Sequence, residues 1–252
     1  MEQHYEFTLK HYQTLLKKAK QSNYTFINYE DYEKFNGKYI ILRHDIDISL
    51  EKALEMAKIE SLEGISATYF LMLTSEFYNV LSPYARKIVE EMSSLGHQIG
   101  LHFDPTTYHY STKEELENII QQEVQILSSI IQKKVTTLSF HRPSKEVLEN
   151  NYQFEGLINT YSHVFFKDIK YISDSRKRWR EETIDELIEK ELFSHIQLLI
   201  HPIWWESENG TLNDSISHFI EQHNRHLFEK FSNNISNFPL EFKKKLDSIK
   251  IK

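Results

Sequence analysis

Two carboxylates two residues apart close an otherwise apolar run: Tyr39–Asp47 reads YIILRHDID. In an extended segment Asp45 and Asp47 leave the same face, and His44 leaves the opposite one. Like charges this close are costly without a cation or a shared proton between them, so the pair suits a metal site or acid–base work on water. The plainer alternative is that Arg43, or the N-terminus of a following helix, satisfies both; a D-x-D pattern by itself does not decide. A second polar group lies in Gly96–Pro105, GHQIGLHFDP, where the odd spacing of His97 and His102 puts them on opposite sides of a strand. One ion is therefore not expected to take both. His97, just after Gly96, reads as a hydrogen-bonded structural residue, and His102 as the ligand candidate. Two more groups follow: SFHRPS at Ser139–Ser144 and LLIHP at Leu198–Pro202. Pro202 ends strand pairing, which puts the His201 imidazole at a sheet rim, where a proton donor is useful.

These groups sit at the ends of short β-rich runs: Tyr39–Asp47, Ala67–Leu73, His97–Phe103, Thr136–His141, His163–Phe166, Tyr171–Ser173 and Ile196–His201. Helical patterns separate them. Leu50, Ala53, Leu54 and Ala57 keep one face, as do Tyr84, Ile88, Met92 and Leu95, and then Leu116, Ile119, Ile120, Val124 and Leu127. Thr183 with Glu186 predicts a capping box opening a helix to Leu192, and Ile216, Phe219, Ile220, Leu227 and Phe231 mark a long C-terminal helix. Strand and helix alternating this often imply a parallel sheet, with ligands expected where its strands end. His218, His223 and His226 on the last helix, with His4, His11 and His195, read as packing or solvated residues.

At 252 residues, 40% hydrophobic and 13% aromatic, the chain has material for one sizeable α/β core. With only 6 Gly and 5 Pro there is no evident linker, so one domain is expected: residues 1–36 as a helical and irregular lead-in, and 37–252 as the body with its C-terminal helix. A net charge of −7 argues against nucleic acid as a partner. The absence of cysteine removes disulfides, thiolate metal sites and cysteine nucleophiles, so any metal must use His, Asp or Glu. The first twenty residues lack an apolar core behind a basic leader, and no segment reaches the roughly 18 apolar residues of a membrane span; the expectation is a soluble, cytoplasmic chain.

The ordered set RHDID, GHQIGLH, FHRPS and LLIHP resembles the polysaccharide deacetylase family, also called the NodB-homology domain or carbohydrate esterase family 4, over about Ile40 to Pro202. It is most similar to a divergent branch with an R-H-D-x-D first motif, for which YISDSRKRW at Tyr171–Trp179 looks like a hallmark. The resemblance implies an irregular (β/α)7-type barrel in a single domain that removes acetyl groups from glycans with one divalent metal, usually zinc. It makes Asp45 the catalytic base, Asp47 and His102 metal ligands, Arg142 the arginine that holds the base, and His201 the general acid. The family's second ligand histidine falls at Thr106, a poor zinc ligand. His141 is the first substitute, followed by His109 and Asp104. Asp174 or Trp179 resembles the motif lining the substrate groove, and Trp179, Trp204 and Trp205 are candidates for stacking on sugar rings.

The expected activity is thus metal-dependent removal of an acetyl group from an N-acetylated sugar or glycan precursor. Two alternatives stand beside it. One is a non-catalytic carbohydrate-binding or scaffold protein on the same barrel, suggested by Thr106. The other is a hydrolase of a different C–N bond, since one fold hosts many substrates.

Overall fold

Strand β2, Tyr39–Ile46, is buried along its whole length and forms the axis of the architecture. The computed structural model describes residues 5–179, 182–236, 239 and 241. On one edge β2 pairs in parallel with β8, His195–Ile200. Its other edge is shared: β1, Thr25–Ile27, takes Tyr39–Ile41, and β3, Thr68–Leu71, takes Arg43–Ile46. Beyond β3 lie β4, Gln98–Phe103, then β5, Thr137–Phe140, then β6, Ile158–Asn159; beyond β8 lies β7, Lys170–Ser173. All these pairings are parallel, and the sheet curls into an open half-barrel, the expected (β/α) architecture within a single α/β domain.

Helices connect and flank the strands. They are α1 Leu9–Gln21, α2 Leu50–Leu62, α3 Pro83–Ser94, α4 Lys113–Ile131, α5 Lys145–Glu149, α6 Ile184–Glu189 and α7 Leu212–Asn234. Their starts follow from local chemistry: Ser49, Ser82 and Thr112 each accept a backbone N–H of the first turn, and Thr183 and Thr211 form reciprocal capping boxes. No described helix is long and apolar enough to cross a membrane.

One expectation changes. His163–Phe166 does not pair as a strand; Val164–Asp168 forms a π-helical turn. The buried Gln197 amide donates to the Phe165 carbonyl at 2.9 Å, and the Phe165 ring meets Tyr29 and Tyr32 edge-on. Tertiary contacts thus override the strand propensity of a short aromatic run. In residues 5–36, α1 buries Tyr12, Leu15, Leu16 and Ala19, and β1 joins the sheet.

The alternation of β2 sends Arg43 and Asp45 inward and His44 outward, into the layer between sheet and helices. There His44 Nε2 lies 2.7 Å from the fully buried Glu60 carboxylate, which also accepts from Tyr12 and Tyr69. His97 has the structural role expected of it, with Nε2 2.9 Å from the Ala57 carbonyl and Nδ1 accepting from the Ala67 amide.

Helix α1 is tied to α6 by His11 Nε2 and Asp185 Oδ2, 2.9 Å apart. The Asp185 hydrogen bond raises the His11 pKa above its ordinary 6.5. Burial raises that of Asp185, but the His11 contact outweighs it and holds the carboxyl below its ordinary 3.8. The histidine's contribution is complete below its unfolded pKa and is lost as pH rises through the raised value. The aspartate's is present above its unfolded pKa and is lost as pH falls. The pair therefore stabilises most between about pH 4 and 6.5. His11→Ala is expected to lower the melting temperature more at about pH 6 than at about pH 9; equal losses would reduce the contact to packing.

Candidate metal centre

At the C-terminal end of the parallel strands, β2 delivers Arg43 and Asp45 to one interior surface, with Asp47 just beyond the strand end. Arg43 is completely buried, and its donors are almost fully assigned. Nε and Nη2 grip the two Asp45 oxygens at 3.0 and 2.8 Å. Nη1 donates to Thr160 at 2.8 Å, while Nη2 also reaches Ser139 at 2.6 Å and Tyr161 at 3.1 Å. The guanidinium lies 4.7 Å from the Tyr161 ring centroid and 5.5 Å from that of Phe70. Gly100 makes room for this floor: a Cβ there would meet the Phe70 ring at 2.5 Å. Burial pushes the Asp45 carboxyl up, but the Arg43 charge and hydrogen bonds more than reverse this and hold it below the usual range.

The expected Arg142 contact is therefore made by Arg43. Arg142 is exposed, has a backbone φ of +49°, and stands at the cavity edge. It follows His141 two residues past the end of β5, and it lines the cavity without an ion pair to Asp45.

Asp47, His102 and His141 converge, with one ligand atom from each lying within 4.8 Å of the others. Asp47 Oδ1 is 3.0 Å from His102 Nε2 and 3.3 Å from His141 Nδ1. Burial raises the Asp47 pKa, but the two imidazoles hold it far below the usual range. Ser139 fixes the tautomer of His102. Arg43 can only donate to its hydroxyl oxygen, and ionised Asp45 can only accept from it, at 3.2 and 3.3 Å. His102 Nδ1, 3.1 Å from the same oxygen, must then be the donor. In the neutral ring this leaves the Nε2 lone pair facing a carboxylate oxygen at 3.0 Å. Two acceptors at that distance need a proton or a cation between them. Ligand atoms around a zinc ion at about 2.0–2.2 Å lie roughly 3.3–3.6 Å apart, so the trio fits a cation after a small outward adjustment. Thr106 does not contribute; it donates to Asp104, and neither Asp104 nor His109 belongs to the convergent set.

Beside Asp47 stands His201, whose Nε2 is 4.0 Å from Asp47 Oδ2. Its Nδ1 is 2.6 Å from Asp174 Oδ1, and Asp174 also accepts from the His201 amide and from Trp205 Nε1. Burial disfavours the His201 imidazolium, but the Asp174 hydrogen bond and charge raise its pKa to about 9. Asp174, expected to line the substrate groove, is instead buried behind His201 and orients it. Trp179 is likewise in the core, stacked on Phe7, and Trp205 is buried. Trp204 does line the cavity, a space of about 680 Å³ that also includes Tyr161, Phe166 and Tyr171. Ser139 and Tyr161 have site positions that sequence reasoning missed; Arg43, weighed there as a partner for the two carboxylates, is bonded to Asp45, whose side of the strand it shares by period-2 alternation.

No protein-family model matches this sequence, and no curated protein does. Solved structures similar to it include wild-type BA3943, a CE4 family pseudoenzyme from Bacillus anthracis, at 11% identity over 76% of this chain and 62% of that one, TM-score 0.44. The polysaccharide deacetylase Bc1974 from Bacillus cereus matches at 14% identity over 74% and 89%, TM-score 0.44. The catalytic domain of a peptidoglycan N-acetylglucosamine deacetylase from Eubacterium rectale matches at 12% over 80% and 88%, TM-score 0.44. This chain spans 62–64% of the length of the BA3943 chains. Likeness at this level carries no weight for function, which is read from the side chains themselves.

Proposed function

We propose that this protein is a metal-dependent hydrolase that removes an acyl group, acetyl foremost, from the nitrogen of an N-acylated sugar. The observation that carries the reading is the convergence of Asp47, His102 and His141 beside an arginine-clamped Asp45, with an aspartate-held His201 next to Asp47. One carboxylate and two imidazoles suit a divalent cation of borderline softness, zinc first. When bound, such a cation polarises the acyl carbonyl and acidifies water from a pKa of about 15.7 toward 7.

The chain's own groups supply the rest. Asp45 takes the proton of the attacking water; Arg43 keeps the carboxylate ionised and aimed. His201, with Nδ1 committed to Asp174, presents Nε2 to the cavity and delivers a proton to the departing amine, completing C–N cleavage. Ser139 couples the base to the His102 ligand. The aromatic wall of Trp204, Tyr161, Phe166 and Tyr171 offers apolar faces to a sugar ring.

Elemental analysis tests the premise. Wild-type protein purified without chelator and supplemented with zinc is expected to hold about one ion per chain, and Asp47→Asn combined with His141→Ala to hold none above background. Acetate release from N-acetylhexosamine derivatives is expected to follow the ion content. Failure to retain zinc, cobalt or nickel would favour a sugar-binding module in place of a hydrolase.

A further inference from the structure

Two arginines remain after the groups at the centre have been paired. Arg142 and Arg176 both line the cavity that contains Asp45, Asp47 and His201. Each carboxylate at the centre already faces a basic group: Asp45 meets Arg43, Asp47 meets His102 and His141, and Asp174 meets His201. Among the described residues no carboxylate lies within ion-pair distance of either Arg142 or Arg176. Both also hold left-handed backbone conformations, φ +49° and +62°. For long side chains this conformation is strained and persists only where the surroundings impose it.

Their positions tie them to the reaction centre. Arg142 follows the metal-ligand candidate His141 in the chain, and Arg176 lies two residues beyond Asp174, which holds His201. Arg142 also lines an adjoining groove of about 520 Å³ that shares Asp47 and His141 with the main cavity. A chain of net charge −7 thus places two uncommitted guanidiniums at the mouth of its candidate site. Planar guanidiniums pair with phosphate and carboxylate through two parallel hydrogen bonds, and charges lining a cleft concentrate ligands of opposite sign.

We propose that the acylated substrate is anionic, its phosphate or carboxylate group held by Arg142 and Arg176 while the acyl nitrogen lies between Asp45 and His201. This inference rests on the hydrolase reading for the orientation of the substrate, but anion binding itself does not.

The test has two arms. In the first, the metal-loaded enzyme and its Arg142→Gln, Arg176→Gln and double variants are compared on four substrates: neutral N-acetylglucosamine, its 1-phosphate, the uridine-diphosphate-linked sugar, and an N-acetylated aminouronic acid. The wild type is expected to prefer one charged class over the neutral sugar in kcat/KM by about 10-fold or more, chiefly through KM. Each single variant is expected to lose about 10-fold of that preference. Preference for the two phosphorylated compounds identifies phosphate as the group, and preference for the uronate identifies carboxylate. Arg86→Gln, an exposed charge on α3 outside the cavity, controls for net charge.

The second arm measures calorimetric binding of inorganic phosphate, uridine diphosphate and glucuronate to metal-free wild type and double variant, so that no cation contributes. Binding that the double variant weakens at least 10-fold supports the inference even if no substrate is hydrolysed, in which case only the hydrolase reading fails. Hydrolysis of neutral and anionic sugars with equal kcat/KM in wild type and variants overturns it and leaves the hydrolase reading intact. Binding equal in wild type and double variant also overturns it.

Discussion

Asp45→Asn lowers the rate of acetate release by about 10²–10⁴ while the bound ion is retained, since asparagine cannot accept the proton of the attacking water and Asp45 is not in the convergent ligand set. The amide is nearly isosteric and can still meet the Arg43 guanidinium with its oxygen. The substitution therefore removes basicity with little change of shape. It also leaves Arg43 buried without its counter-charge, so the variant is expected to melt earlier, and its activity is read well below its transition, per folded molecule. Acetate release measured beside elemental analysis separates the two effects: a full ion complement with activity equal to wild type removes Asp45 from the mechanism. Loss of the ion together with activity would make Asp45 a ligand.

Arg43→Met is expected to cost about 3–5 kcal/mol of stability, because it leaves a buried carboxylate facing neutral groups. In a chain of this size that corresponds to roughly 10 °C in melting temperature. The guanidinium is fully buried and contacts Asp45, Thr160, Ser139 and Tyr161, so the loss is not confined to one ion pair. Three hydroxyls lose a donor, and Ser139 in turn supports His102. The double variant Arg43→Met/Asp45→Leu is expected to recover part of the stability while remaining inactive, since removing both charges spares the unpaired carboxylate. Chemical denaturation of the wild type, Arg43→Met, Asp45→Leu and the double variant yields the coupling directly. Near-zero coupling would mean that Arg43 acts only by filling space. For Asp45, loss of the arginine also removes the main influence holding its carboxyl below the usual range. Residual activity of the single variant should therefore decline at a higher pH on the acid side than that of the wild type.

The sequence by itself determined which residues stand at strand ends and which side of the strand each takes. Period-2 alternation separates His44 from Asp45 and Asp47, and His97 from His102, whatever the rest of the chain does. Pro202 likewise ends pairing directly after His201. Cooperative elements such as α2, α4 and α7 were legible because their apolar faces repeat over many residues. β1 and β6, at three and two residues, are too short to carry a period.

Only the tertiary structure decided who meets whom across the cavity. Parallel register puts His102 beside Ser139, and the pairing of β8 with β2 and of β7 with β8 sets His201 beside Asp47 with Asp174 behind it. Arg43 rather than Arg142 clamps Asp45, and Trp179 lies in the core, stacked on Phe7, rather than on the substrate side. The reason is physical: local periodicity specifies the direction of a side chain relative to its own strand. The distance between side chains on different strands depends on register, twist and packing, which are settled by burial of the whole core at once.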